Sequence, residues 1–239
     1  MRIAVYGTAR DSEKEWKDRA VVVIDTLRAT STITTAIANG CKEIIPVEEA
    51  SEAVAMQRTL HTENVLLGGE RQSLRIDGFQ LSNSPLDYTP AIVKGRTIVF
   101  TTTNGTRAIR GVSDAWVVLV GAYINASTIA RQLTAWNRDV VLLCAGTHGR
   151  FSMDDAVTAG AILQQMSDMG IAMDIDDMGQ ACVILYRTYA PGLPQSLGDT
   201  VHYSRLISLG FEEDVRYCFS KDSVPVIGCY INSVIRQLT

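Results

Sequence analysis

Several motifs that would announce a function at once are missing from this chain of 239 residues. No G-x-G-x-x-G follows a strand and no G-x-x-x-x-G-K-[ST] occurs, which removes the dinucleotide fingerprint and the P-loop. There is no G-x-S-x-G elbow and no H-E-x-x-H. Only three histidines are present (His61, His148 and His202), too scattered for a zinc site. The five cysteines, Cys41, Cys144, Cys182, Cys218 and Cys229, are odd in number and contain no C-x-x-C pair. That is a reduced, cytoplasmic pattern rather than a disulfide scaffold. No apolar run approaches the roughly 20 residues that span a bilayer, and the apolar run in the opening MRIAVYGTARD is too short for a signal peptide, so no membrane partner is expected. A basic surplus is lacking as well: the net charge of −4 argues against nucleic acid as a partner.

What is present is ordinary for a soluble globular protein, with 46% hydrophobic and 20% charged residues. The most informative stretch is VVVIDTLRATST at residues 21–32. Four β-branched residues in a row read as a short strand buried on both faces. Asp25 follows at once, Arg28 comes three residues later, and Ile33 and Ile37 then repeat at helical spacing until Gly40. A carboxylate at the carboxyl end of a strand stands where ligands bind in open α/β sheets. Asp25 could equally cap or brace the turn.

Further strands are expected at residues 2–6, 43–47, 65–67, 97–100, 116–121, 140–145 and 224–231. Pro46 marks an end or an edge of its strand. Helices are expected at 48–59, 125–136, 154–166, 178–189 and 197–209, with short ones after residue 104 and at 211–219. A polar loop covers 13–19, and residues 68–90 follow neither period. Unpatterned stretches longer than about 15 residues inside a domain are often functional. The alternation, with two similar βαβ units, implies a single α/β domain over residues 1–239: three αβα layers around a mostly parallel sheet.

Four strand-end loops carry the suggestive chemistry: Asp25 with Arg28; Glu70 with Arg71; Asn104, Gly105, Thr106 and Arg107; and Cys144 through Asp155. Parallel neighbouring strands would bring these loops to one sheet edge. TTTNGTR offers hydroxyls where a helix begins, and helix N-termini favour anions, although simple capping by Thr103 or Asn104 fits too. Glu70-Arg71 follows two glycines that would let backbone approach a ligand, while a surface ion pair is the plainer reading. Asp154-Asp155 opens a helix, where acids are favourable for the dipole alone. Together the carboxylates could hold a hard cation such as Mg²⁺ and the arginines an anion. A rival is contained in CAGTHGR, which places Arg150 six residues after Cys144, the spacing of a cysteine-dependent phosphatase loop. A strand-end Cys is also commonly just a small apolar residue.

VVVIDTLRATSTITTAIANG, GGERQSLRIDGFQLSNSP, TTTNGTRAI and LCAGTHGRFSMDDAVTAG, in this order and spacing, resemble the 2-phosphosulfolactate phosphatase family. The ending GFEEDVRYCFSKDSVPVIG resembles that family's C-terminus, so the likeness covers nearly the whole chain. The resemblance implies a Mg²⁺-dependent phosphatase acting on the phosphate ester of a small 2-hydroxy acid, yielding sulfolactate in coenzyme M biosynthesis. It places the polar motif positions on Asp25, Arg28, Glu70, Arg71, Asn83, Asn104, Thr106, Cys144 and Asp155. The metal set is then Asp25, Glu70 and Asp155, with Asp25 as Mg²⁺ ligand or as nucleophile. Arg28, Arg71 and Cys144 join these three as catalytic residues, and Asn83, Asn104, Gly105, Thr106 and Arg107 hold the substrate. Asp154 stands where the family pattern has Glu. Such a substrate carries phosphate, carboxylate and sulfonate on three carbons, and Arg28, Arg71 and Arg107 suit these oxyanions because guanidinium forks onto them. A homo-oligomer is left open.

Overall fold

The β-branched runs and the helix-forming runs between them fold as expected in a computed structural model that describes residues 1–10, 16–60 and 64–239. His61 and residues 13–15 of the first polar loop therefore lie outside the described residues. In chain order the first half contains β1 (Arg2–Tyr6), β2 (Ala20–Ile24), α1 (Ala29–Ala38), β3 (Glu43–Pro46), α2 (Ala50–Leu60), β4 (Val65–Arg71), β5 (Leu74–Arg75) and α3 (Pro90–Val93). β6 (Thr97–Thr101), α4 (Gly105–Arg110), β7 (Val117–Gly121), α5 (Ala126–Trp136), β8 (Val140–Cys144) and α6 (Met153–Asp168) follow. The chain then adds β9 (Asp174–Ile175), α7 (Asp177–Tyr189), α8 (Val201–Ser208), α9 (Glu212–Cys218), β10 (Gly228–Ile231) and β11 (Val234–Gln237).

The strands form one sheet in the order β5-β4-β6-β3-β11-β10-β7-β2-β8-β1-β9. β2 lies in register between β7 and β8, with Val22 opposite Leu119 and Leu142. Its side chains alternate as a strand must: Val22 and Ile24 enter one core, Val21 and Val23 the other. α5, α6 and α7 cover the first face with residues such as Ile129, Ile162 and Cys182, while α1 and α4 cover the second with Ile33, Ile37 and Ile109. The layers are therefore αβα around a mostly parallel sheet.

The sheet has an inserted feature. The C-terminal hairpin β10–β11 sits between β7 and β3, and its pairings with both neighbours are antiparallel. Three reversals in succession make the block β4-β6-β3 run opposite to the block β7-β2-β8-β1-β9. β3 is consequently an interior strand with Pro46 at its end, and an edge position is ruled out. Strand twist of about 20° per step accumulates to about 100° over the five steps from β2 to β6. That rotation offsets much of the reversal and lets the carboxyl ends of both blocks meet. The contacts below show that they do.

Residues 68–90 are also more ordered than their pattern suggests. β4 extends to Arg71 and turns back through Gln72 and Ser73 into β5. Phe79 and Leu81 are buried, and Leu81 bridges to Gly68. The two glycines do not serve a ligand: a Cβ on Gly68 would stand 2.3 Å from Tyr88 Oη, and one on Gly69 1.9 Å from the Thr101 carbonyl oxygen. They let β4 pack against β6 and Tyr88.

Candidate functional site

The corner after β2 is built almost entirely of buried polar residues. Thr30 Oγ1 accepts from the Asp25 N–H at 3.0 Å and donates to the Asp25 carbonyl at 2.9 Å. Ser31 Oγ donates to the Thr26 carbonyl, and the Thr26 N–H donates to Asp155 Oδ1 at 2.9 Å. Asp25 Oδ1 receives a long contact of 3.3 Å from the Ala29 N–H, leaving Oδ2 for the space beyond. Gly105, at the start of α4, packs against this corner. A Cβ there would lie 2.6 Å from Ala29 Cβ and 2.7 Å from Asp25 Oδ2.

In front of the corner is a cavity of about 40 Å³, bordered by Asp25, Arg28, Glu70, Asn83, Asn104 and His202. Arg205, Thr103, Thr147 and His148 also line it. Its lining comes from β2, β4, β6 and β8 loops and from α8, so both sheet blocks and the C-terminal segment contribute. A second cavity of about 640 Å³ adjoins it through Thr103, Asn104 and His148, with Arg10, Arg107 and Trp16 on its wall.

The expected residues divide into those at the small cavity and those behind it. Arg28 is at the cavity but only 2% exposed. Its Nη1 donates to Asp214 Oδ2 at 2.5 Å and its Nη2 to the Ser73 carbonyl at 2.7 Å, with the Phe211 ring 4.1 Å from its Cζ. Asp214 Oδ1 in turn accepts from Ser84 Oγ. Glu70 accepts from the backbone N–H groups of Ser73 and Thr103, both at 2.7 Å, which ties the β4 hairpin to the corner after β6. Asn104 Oδ1 accepts from the His148 N–H at 3.2 Å. Thr106 lies behind the wall, exchanging hydrogen bonds with Thr102 and closing the first turn of α4.

Three of the expected residues do not reach the small cavity. Arg71 turns away from the cavity, donating to the carbonyls of Glu70 and Glu48 and to Thr101 Oγ1. Arg107 pairs with Glu49 at 2.7 Å and borders only the larger cavity. Cys144 is fully buried in the core under α6, and burial, with Asp155 and Asp154 adding to it, pushes its thiol well above the usual range. With Cys144 buried and Arg150 exposed, the cysteine-phosphatase arrangement is not formed.

His202, Arg205 and Asp214, which no sequence motif marks, supply the remaining charges. His202 Nδ1 stands 3.4 Å from Asp154 Oδ2 and 3.3 Å from Thr147 Oγ1. Asp154 Oδ1 accepts from Ser152 Oγ at 2.5 Å. The only available sequence signal was His202 and Arg205 at i and i+3 on a predicted helix, one turn apart on the same face.

Electrostatics separates the acids. Burial pushes Asp25 up to about 7, with Asp154 and Glu70 adding and His202 opposing. Burial also raises Asp155 well above the carboxylate range, and the nearby Asp154 and Asp25 raise it further. For Asp154 the burial penalty is outweighed by His202 and Ser152, and the net direction is down. His202 moves up, because Asp154 outweighs the effect of burial.

The expected metal trio of Asp25, Glu70 and Asp155 is not assembled: among the described residues no three His, Cys, Asp or Glu side chains gather to hold an ion. Asp155 instead accepts from the Thr26 and Gly146 N–H groups and braces two loops. Asp25 and Glu70 do share the cavity with Asn83, whose buried Oδ1 has no hydrogen-bond partner. Two carboxylates and an unpartnered amide oxygen are hard donors that fit Mg²⁺, an ion that usually keeps waters and shares its shell with substrate phosphate.

Comparison with known proteins agrees over nearly the full length. A family model described as 2-phosphosulpholactate phosphatase matches residues 7–233. A relative from Caldanaerobacter subterraneus subsp. tengcongensis, named probable 2-phosphosulfolactate phosphatase, is 44% identical over 237 residues, covering 99% of this chain and 98% of its own. Relatives of the same name from Clostridium acetobutylicum and Clostridium tetani are 39% and 41% identical, over 98% and 99% of this chain and 100% of theirs.

Proposed function

This chain belongs to the 2-phosphosulpholactate phosphatase family, and from that premise we propose that it hydrolyses the phosphate ester of a small 2-hydroxy acid, with Mg²⁺ as cofactor. 2-Phosphosulfolactate is the substrate named for its relatives. One observation carries the reading. A carboxylate with a free oxygen, Asp25, faces the same small cavity as Arg28, Arg205 and His202. An acidic protein can hold a ligand with three anionic groups only where its cations are concentrated, and three of them border this cavity.

The small cavity takes the phosphoryl group, since about 40 Å³ holds little more than that. The rest of the substrate extends past Thr103 and Asn104 towards the larger cavity, where Arg10 and Arg107 await its other anionic groups. Arg28 is preorganised by Asp214 and Phe211 and needs no rearrangement to meet an oxyanion. Asp25, Glu70 and Asn83 would hold Mg²⁺, which when bound supplies neutralisation of the phosphoryl charge. Catalysis then rests on positioning and electrostatics.

Phosphate release is measured with Mg²⁺, with EDTA, and with Mg²⁺ restored. The expected result is release only when Mg²⁺ is present, and loss of both release and Mg²⁺ binding in Asp25→Asn with an unchanged melting curve. Release that survives EDTA would remove the Mg²⁺ assignment. No release from any small phosphate ester would leave a non-catalytic anion-binding protein.

A further inference from the structure

We infer that His202 is the catalytic acid that protonates the departing ester oxygen, and that Asp154 positions it. The inference rests on the phosphatase reading above and assigns a group that reading leaves open.

The alkoxide of a 2-hydroxy acid is a poor leaving group, and a positioned proton donor at that oxygen contributes roughly 10²–10⁴-fold. The other groups bordering the cavity do not suit this task. Arg28 and Arg205 cannot give up a proton. Glu70 has both oxygens engaged by backbone N–H groups and belongs to the residues that would hold Mg²⁺. Asp25 is taken up by the Mg²⁺ site with Glu70 and Asn83. His148, at the rim, is exposed, and no carboxylate pairs with it among the described residues.

His202 differs in how it is held. Its side chain is 15% exposed and borders the cavity, with Nδ1 turned to Asp154 and Thr147. Nε2 is therefore the nitrogen left for the ligand. Asp154 has no competing duty: Ser152 occupies Oδ1, and Oδ2 has no hydrogen-bond partner beyond its ion-pair contact with the imidazole. Two adjacent acids at the start of α6 thus divide the work. Asp155 holds backbone from two loops, and Asp154 holds the ring. The other charges facing His202 are Asp25 and Arg28 from the corner after β2.

In the step, the bond from phosphorus to the ester oxygen breaks and its electron pair stays on that oxygen, which takes the proton from Nε2. A water oxygen bonds to phosphorus. One water proton remains on the hydrogenphosphate and the other restores the imidazolium, so atoms and charge balance.

The test compares His202→Gln with the unaltered enzyme on the 2-phosphosulfolactate ester and on 2,4-dinitrophenyl phosphate, whose leaving group needs no proton. We expect kcat for the alkyl ester to fall at least about 100-fold, and the loss on the aryl ester to be at least tenfold smaller. Aryl-ester turnover also reports that the variant is folded. Asp154→Asn should show the same dependence on leaving group with a smaller loss. Equal losses on both esters, or alkyl-ester activity retained in His202→Gln, would overturn the inference. If the unaltered enzyme hydrolyses neither ester, the phosphatase reading falls first and takes this inference with it.

Discussion

The corner after β2 and the segment from α8 to α9 face the same cavity but are built in opposite ways. At the corner, Asp25, Thr26, Arg28, Thr30, Ser31 and Thr32 are all buried, and their polar atoms are satisfied largely by each other and by backbone. The strand behind them, Ala20 to Ile24, is buried on both faces. In the C-terminal segment Val201 is 82% exposed; Leu206, Val215 and Cys218 are buried in the core, with Tyr203, Ile207 and Phe211 half-buried against it. Its functional side chains are held instead by paired charges: Asp214 by Arg28, and His202 by Asp154. Burial alone fixes one half of the site, and in the other half ion pairs join the apolar packing. The position of its charged groups therefore depends on those pairs.

Breaking the pair between the two halves should have the largest effect. Asp214→Asn keeps the shape but leaves the Arg28 guanidinium buried without its counter-charge. Removing one partner of a buried pair costs about 3–5 kcal/mol. Urea unfolding should show a loss in that range, accompanied by loss of turnover. A loss below about 1 kcal/mol would mean that Arg28 is adequately held by Ser73 and Phe211 alone, and that the segment is not fastened by charge.

The corner can be attacked from its own side. In Gly105→Ala the new Cβ meets Ala29 Cβ and Asp25 Oδ2, so either α4 or the Asp25 carboxylate has to give. Overpacking of this kind costs about 1–3 kcal/mol. Displacing the Asp25 carboxylate should lower kcat/KM by at least tenfold, about 1.4 kcal/mol. Unaltered kinetics with lowered stability would show that α4 moves and Asp25 does not.

How much of this was readable in advance follows the same division. The β2 corner was legible because an unbroken β-branched run ends on Asp25, and burial on both faces leaves such a run few alternatives. Both β-hairpins escaped notice for one reason. Gln72-Ser73 and Asn232-Ser233 occupy positive φ at both turn positions without the Asn-Gly or Asp-Gly that usually marks such a turn. Hence β5 and β11 were not foreseen, nor was the antiparallel insertion that divides the sheet. Arg71 and Cys144 were assigned to the site from the family motifs, yet sequence position cannot say which way a side chain turns at a strand end. His202 and Asp214 were invisible because they lie far along the chain from their partners Asp154 and Arg28. Only the fold brings them together.

Arg71 sharpens the comparison from outside the cavity. Lysine at this position keeps the charge but loses the fork that reaches two carbonyls and Thr101. Stability should fall by about 1 kcal/mol, the size of a lost hydrogen bond or two. Because the guanidinium does not border the cavity, kcat/KM should stay within about threefold, while Arg28→Lys loses tenfold or more. A tenfold loss in Arg71→Lys would return Arg71 to the substrate.

The smallest effect is the pH dependence of the His202–Asp154 pair. Single substitutions would strand a buried charge, so the comparison uses the double variant His202→Gln/Asp154→Asn, in which neither charge remains. The folded value of His202 is raised above its ordinary 6.5, so its contribution is complete below 6.5 and is lost as pH rises through the raised value. The folded value of Asp154 is lowered from 3.8, so its contribution is complete above 3.8 and is lost as pH falls through the lowered value. Both contributions are thus fully present only between pH 3.8 and 6.5. Melting temperatures of the two proteins should differ most in that window. The gap should narrow by about 2 °C on passing to alkaline pH, the shift a fraction of a kcal/mol makes in a chain of this size. A gap that instead widened as pH rose would mean that His202 is held neutral in the folded protein. The ion pair fastening α8 to the core would then have to be replaced by a plain hydrogen bond.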